Sequence, residues 1–399
     1  MPFAQLVIGP PGSGKSTYCD GMHQFMSAIG RKCSVVNLDP ANDRTSYPVA
    51  LDVRDLVTID EIMETEDLGP NGGALYALEE LEHNFEWLEE GLKELGEDYI
   101  IFDCPGQVEL FTHHSSLRNI FFRLQKLGYR PVVLHLTDSH VLTQPSTYIS
   151  ALLLALRSML QMDLPHLNVL TKIDNLTNYP NLPFNLDFYT EVHSLSYLLP
   201  HLTAEQSSRS ISTPAKTTSK ETNNKIGGDL EHDGPQSKFA ALNQAIIDLV
   251  EDYSLVGFET LAVEDKKSMM VLLRAIDRAG GYAFGSVGGV NDTVWQVAMR
   301  QDAVTMDARD VQERWLDRRE EMDEEERKEW EEEARALERE GPEGEGHVAE
   351  KAVGGEKVIG TEKAKGGGGG GVDDEADSEE LEKAKAMMQN SGIKIVRKR

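Results

Sequence analysis

The chain has 399 residues, 40% of them hydrophobic, and a formal net charge of -28. That length suits one large domain or two with a real apolar core, and the acidic balance argues against non-specific nucleic-acid binding by the whole chain while allowing a basic partner or an anion held by a small local site. The longest apolar run, ALLLALRSML, is broken by Arg157 and reads as an amphipathic helix instead of a bilayer span.

The opening MPFAQLVIGP lacks the basic stretch of a secretion signal. Cys19, Cys33 and Cys104 have no metal-ligand spacing, which fits reduced thiols of the cytosol or nucleus. From Phe3 to about Phe284, short apolar runs alternate with helical patterns. The runs FAQLVIG, CSVVNLD, DYIIFDC, PVVLHLTD, HLNVLTK and SLVGFETLAV predict strands. Most are apolar throughout, as strands buried on both faces of a parallel sheet must be. Helices are predicted over Lys15–Ile29, Gly73–Leu95, Leu110–Leu127, Thr147–Met162, Phe239–Val250 and Lys267–Arg278, so the expected fold is α/β: a mainly parallel, helix-covered sheet.

The first strand runs into GPPGSGKST, Gly9 to Thr17, and a helical pattern follows at once. This is the phosphate loop of the P-loop NTPases in its proper context. Gly12, Ser13, Gly14 and the residues after them can aim backbone N–H groups at phosphate oxygens, with the helix N-terminus behind them. Lys15 supplies charge to the outer phosphates, Ser16 is a ligand for Mg²⁺, and Thr17 closes the phosphate-binding set.

Further on, GPNGG at Gly69 to Gly73 reads on local grounds as a turn, with Asn71 tolerating left-handed backbone and the glycines supplying positive φ. IIFDCPGQVEL then ends a strand on Asp103 and continues to Gly106 and Gln107, a D-x-x-G-Q spacing. Asp103 would join Ser16 at the metal, Gly106 would sense the last phosphate, and Gln107 would orient the attacking water. His113 and His114 are adjacent, so they face different ways and are expected to pack or cap, not to chelate together. Cys104 is expected to be a buried apolar thiol.

NVLTKIDNL carries Thr171, Lys172, Ile173 and Asp174 after another strand. A carboxylate at Asp174 can accept from guanine N1–H and the 2-amino group, an arrangement adenine does not offer, with the Lys172 stem over the base. Thr203 to Ser237 is polar and without periodicity, and reads as a disordered insertion. From residue 285 the chain is expected to be a charged tail, partly helical and largely disordered, with a weak basic end IKIVRKR. Trp87, Trp315 and Trp330 lie on helical patterns and are expected to pack.

With the phosphate loop, DCPGQVE, TKID and Gly69-Pro70-Asn71 in this order, the sequence resembles the GPN-loop GTPases, a likeness that NLDPAND and THHSSLRNIF extend. The match covers about Pro2 to Phe284 without the polar insertion. The resemblance implies a P-loop fold of the signal-recognition/MinD-like class working as a homodimer or as a heterodimer with paralogues. It implies that Gly69, Pro70 and Asn71 reach the nucleotide of the other subunit. Asp39 matches an acidic position near metal and water, and Gln107 with Glu109 matches a polar pair beside it. It further implies assembly and nuclear import of RNA polymerase II and related polymerases, hence a cytoplasmic protein shuttling to the nucleus. No membrane and no direct nucleic-acid contact is expected. The fifth, base-contacting motif falls only loosely around SLVGFETLAV. The expected activity is Mg²⁺-dependent hydrolysis of GTP to GDP and phosphate; a P-loop kinase and a nucleotide-gated scaffold with little turnover are the alternatives.

Overall fold

Each predicted strand forms, and one more joins them. In the computed structural model, which describes residues 2–179, 182–211, 237–282, 308–325 and 327–328, the strands are β1 (Phe3–Ile8), β2 (Cys33–Asn37), β3 (Val49–Asp52), β4 (Tyr99–Asp103), β5 (Arg130–Asp138), β6 (His166–Thr171) and β7 (Phe258–Leu261). They pair in the order β3-β2-β4-β1-β5-β6-β7, every pair parallel. Chain direction reverses its sideways growth at β1, between β4 and β5. Ligands of open α/β sheets bind at such a switch point, outside the carboxyl ends of the strands.

The two-residue period of the strands sorts their side chains into separate cores. Leu6 and Ile8 of β1, with Ile100 and Phe102 of β4, enter one cluster; Val7 and Ile101 enter another on the opposite face. Helices α3 (Pro70–His83), α4 (Phe85–Glu94), α5 (Glu109–Thr112) and α6 (Ser116–Lys126) cover the first face, where Trp87 packs partly buried. Helices α1 (Lys15–Ala28) and α11 (Lys266–Gly280) cover the second. A third cluster gathers α7 (Pro145–Met162), α8 (Leu186–Glu191), α9 (Leu199–Ile211) and α10 (Ser237–Tyr253) around β6 and β7.

Several boundaries differ from expectation for local reasons. The helix α2 (Ile59–Glu66) was hidden in a short charged stretch, yet Thr58 and Glu61 form a complete capping box at its start. The long helix predicted over Gly73–Leu95 divides at Asn84, whose backbone (φ -96°, ψ 38°) leaves the helical region. That predicted over Leu110–Leu127 divides around His113 to Ser115. There His114 Nε2 meets Glu79 Oε1 at 3.0 Å while His113 Nδ1 meets Thr112 Oγ1 at 3.0 Å, so the two imidazoles do serve separate partners. Helix α9 enters the polar insertion as far as Ile211; residues 212–236 lie outside the described residues.

The charged region also begins differently. A short helix, Ala308–Gln312, continues as a π-helical turn, Glu313–Asp317, and buries Val311 and Trp315 in the third cluster. The first compact unit therefore extends to Arg319, beyond the boundary expected at residue 285, and a second unit starts at Glu320. Two apolar side chains at i and i+4 in a charged stretch suffice to anchor it. Trp330 and the basic end lie outside the described residues.

Two buried histidines make a pH dependence. His135 is fully buried on β5, bonded to Asn168 (3.3 Å), with Nε2 unpartnered, and burial lowers its pKa from 6.5 to about 4. His166, its ring nitrogens also buried, is lowered by burial to about 3. Below pH 6.5 the unfolded chain takes up these protons and the folded chain does not, so stability is full above that pH and is lost as it falls toward 4. For His135 alone the loss approaches roughly 3 kcal/mol, at 1.4 kcal/mol per unit. Melting temperature measured from pH 7.5 to 5 should fall more steeply in the wild type than in His135→Leu; parallel curves would refute the assignment. Asp39 and Asp103, whose carboxyls burial raises, act in the opposite sense in both proteins and cancel from the comparison.

Candidate functional site

Strand ends deliver the site. After Ile8 the chain turns through Gly9 (φ 147°), Gly12 (φ 79°) and Gly14 (φ 90°), conformations that side chains resist. A Cβ on Gly9 would also stand 2.3 Å from the Leu136 carbonyl oxygen. Gly14 is the N-cap of α1 and has no side chain to cap it, so the helix's first N–H groups face outward for an anion. Within the loop Lys15 is buried, its Nζ donating to the carbonyls of Gly9 (3.2 Å) and Pro10 (3.4 Å). Burial lowers the Lys15 pKa while Asp103 and Asp39 pull it back up. Ser13 Oγ is buried and unpartnered, and Thr17 is exposed.

Asp103 ends β4 in register with Val7 of β1 and Asn37 of β2. Its Oδ2 accepts from Ser16 Oγ and from Tyr47 OH, both at 2.7 Å. Its Oδ1 is buried with no partner. Burial raises its pKa, against the hydrogen bonds from Tyr47 and Ser16 and the charge of Lys15. Asn42 Nδ2 reaches Ser16 Oγ at 3.5 Å. Asp39, two residues past β2, is raised by burial and accepts from the Ala41 N–H at 3.0 Å. Its own N–H donates to Asn37 Oδ1, and Asn37 is tied in turn to Asp52.

Gly106 lies against the phosphate loop: an added Cβ would be 3.1 Å from Lys15 Nζ and 3.3 Å from Pro11. Gln107 Oε1 is buried without a partner, and Glu109 opens α5 two residues on. Cys104 is a buried thiol pushed well above its usual range by burial, inert as expected.

On the other side of β1, Thr171 Oγ1 donates to Ser13 O (2.7 Å) and Lys172 Nζ to Gly12 O (2.6 Å). Lys172 also pairs with Asp138 at 2.6 Å, in register with Thr171 across β5 and β6. Its stem runs past the loop, with Cε 3.8 Å from the place of a Cβ on Gly14. Lys172 takes positive φ (58°), turning the chain into the 3₁₀ segment Ile173–Asn178, where Ile173 is buried and Asp174 half-buried. The turn after β7, in the stretch expected to hold the fifth motif, reaches α1: a Cβ on Gly21 would meet Val263 at 2.5 Å.

One expectation is corrected. Gly69 to Gly73 is the start of α3 and not a turn with left-handed backbone. Gly69 (φ -77°, ψ 170°) is the N-cap, Pro70 takes the first helical position that its ring favours, and Gly73 N–H donates to Gly69 O at 2.8 Å. Positive φ falls instead on Asp67 (53°). Gly73 earns its place by contact, since a Cβ there would come within 3.2 Å of Ile59 on α2. Asn71 is exposed, and α3 packs chiefly on α2, α4 and α6. Among the described residues no hydrogen bond is found between Asn71 and the phosphate loop.

A family model described as "Conserved hypothetical ATP binding protein" matches residues 7–282. GPN-loop GTPase 2 of Schizosaccharomyces pombe is 48% identical over 332 residues, covering 83% of this chain and 96% of its own. That of Saccharomyces cerevisiae is 51% identical, covering 82% and 88%. The chain belongs to the GPN-loop GTPase family. An apo-form GTPase from Pyrococcus abyssi aligns at TM-score 0.49 and 21% identity, over 69% of this chain and 97% of that one. As a GPN-loop GTPase the protein is a GTP hydrolase; these relatives are named GTPases, where the family model's description names ATP.

Tyr47 and Asn42 were not foreseen as part of the site. Both lie in the polar β2–β3 connection, where nothing in spacing marks them; only closure of β2 onto β4 brings them to Asp103 and Ser16. Two surface hollows, of about 350 Å³ beside Val192 and Val256 and about 430 Å³ beside Asn185 and Arg309, lie away from the phosphate loop.

Proposed function

We propose that this GTPase hydrolyses Mg²⁺-bound GTP as a switch whose site is completed across a dimer. The observation that carries the reading is a set of buried polar atoms without partners: Ser13 Oγ within the phosphate loop, Asp103 Oδ1 on the carboxylate bonded to Ser16, and Gln107 Oε1 in the residue after Gly106, which lies against the loop. An unpaired buried oxygen costs stability unless a ligand meets it. Ser16 and Asp103 fit Mg²⁺, a cation that keeps several waters and takes few protein ligands; no cluster of three or more His, Cys, Asp or Glu able to hold a metal is found among the described residues. When bound, the ion neutralises charge on the phosphates. Gln107 orients the attacking water, with Asp39 or Glu109 as the supporting carboxylate, while Lys15 and the loop amides hold the phosphates. Asp174 reads guanine.

Asn71 fits delivery to another chain because it stands exposed at the N-terminal end of α3. GTP turnover measured against protein concentration is expected to rise in specific activity for the wild type and to lose that rise in Asn71→Ala. Rates independent of concentration and equal in both would defeat the dimer reading. By resemblance, the switch serves assembly and nuclear import of RNA polymerase II and related polymerases, in partnership with paralogues. Comparing polymerase-subunit capture by the GTP-loaded and GDP-loaded protein tests that role, and equal capture in both states counts against it.

A further inference from the structure

The turn that carries Asp174 is held from two sides, and only one belongs to the motifs of the nucleotide site. Its upstream half is tied inward: Thr171 and Lys172 bond the phosphate loop, and Ser139 Oγ donates to Lys172 O at 2.9 Å. Its downstream half is tied to the segment beyond residue 307. Arg319 Nη1 donates to the Asp174 backbone oxygen at 3.0 Å and to Thr177 Oγ1 at 2.8 Å.

Arg319 is in turn placed by its own neighbours. Trp315 is buried in the same cluster as Ile173 and Leu176, and the Arg319 guanidinium lies 5.7 Å from the centre of its ring. Gln312 Oε1 accepts the Leu186 N–H at 2.9 Å and so supplies the cap that Asn185 leaves missing at the start of α8. The segment is thus anchored by buried Val311 and Trp315 and by the Gln312 bond to the backbone of α8, and Arg319 carries that anchor to the Asp174 turn.

We infer that Val311 to Arg319 is a latch on the base-reading turn, with Arg319 a positioning residue for the specificity of the site. The inference rests on Asp174 being the guanine reader. A carboxylate discriminates guanine only if both its hydrogen bonds are made together, so sub-ångström play in its backbone acts on the 2-amino contact before it acts on the phosphates. Arg319 touches no substrate; it removes that play through the Asp174 carbonyl.

The test uses the full chain and compares equilibrium binding of GDP with that of IDP, whose base lacks the 2-amino group, below the melting temperature of every variant. Arg319→Ala is expected to weaken GDP about tenfold, the low range for one charged hydrogen bond, and IDP by no more than about threefold, so the preference for GDP shrinks. Arg319→Lys should recover part of it. Arg309→Ala, which removes an exposed ion pair of the same segment with Asp187, should leave the preference unchanged. Equal weakening of both nucleotides by Arg319→Ala, or none, overturns the latch. Asp174→Asn separates the two readings: if it keeps the GDP preference, the guanine assignment itself fails; if it loses it while Arg319→Ala does not, the latch alone fails.

Discussion

Replacing Asp103 by Asn is expected to reduce GTP turnover by about a hundredfold or more, the scale on which loss of one preorganised charge acts on a charged transition state. The change is nearly isosteric, so what it removes is charge. Both hydroxyls on Oδ2, from Ser16 and Tyr47, are oriented by a full negative acceptor, and Oδ1 is the buried oxygen left for a ligand shell. An amide keeps one weaker acceptor and introduces an N–H where a cation is expected. Single-turnover hydrolysis should show the loss with GDP affinity changed far less, because Lys15 and the loop amides remain. Retention of turnover within a few-fold would remove Asp103 from the centre of the site. Tyr47→Phe supplies a graded comparison: it deletes one of the two donors whose hydrogen bonds favour the ionised carboxylate against burial, and a smaller loss in the same direction is expected.

Asp277→Asn is expected to be the most damaging change to stability away from the site. Arg31 and Asp277 form a two-pronged buried pair, both contacts at 3.0 Å, with side chains 6% and 8% exposed. The guanidinium also lies over the rings of Tyr282 and Tyr99, at 3.8 and 4.4 Å. Burial alone would lower the Arg31 pKa, and the Asp277 carboxylate raises it above the ordinary value, so Arg31 stays charged when its partner is neutralised. An uncompensated buried charge costs about 3–5 kcal/mol, or roughly 10 °C in melting temperature for a domain of this size. The double variant Arg31→Met, Asp277→Leu should regain most of that loss, since paired removal strands no charge. Thermal unfolding of the three proteins decides it; a double variant as unstable as Asp277→Asn would point to packing instead of the charge. The pair joins the loop after α1 to α11, far along the helix from its phosphate end, so nucleotide binding at permissive temperature should persist in both.

The phosphate loop, the D-x-x-G-Q stretch and TKID were legible in the chain because each is local. The glycines at 9, 12 and 14 need positive φ whatever surrounds them, and a strand buried on both faces declares itself by continuous apolar residues. Their order along the chain also implied a parallel sheet, and so implied that the strand ends would meet. The edge strand β3 was not legible: it is short and only partly buried, so it carries no continuous apolar run. GPN starts a helix where a turn is expected, because Pro and Gly suit a turn and a helix N-terminus alike; in the fold Gly73 packs closely on α2. Tyr47 on Asp103 and Arg319 on the Asp174 turn span 56 and 145 residues. No periodicity encodes such pairs, because each is set by where two surfaces dock. By itself, then, the sequence determined the chemistry that short range permits: phosphate geometry, charge, and strands that must be buried. Tertiary structure alone decided which oxygens were left unpaired and which distant side chains hold the site, since burial and hydrogen-bond satisfaction are properties of the packed chain.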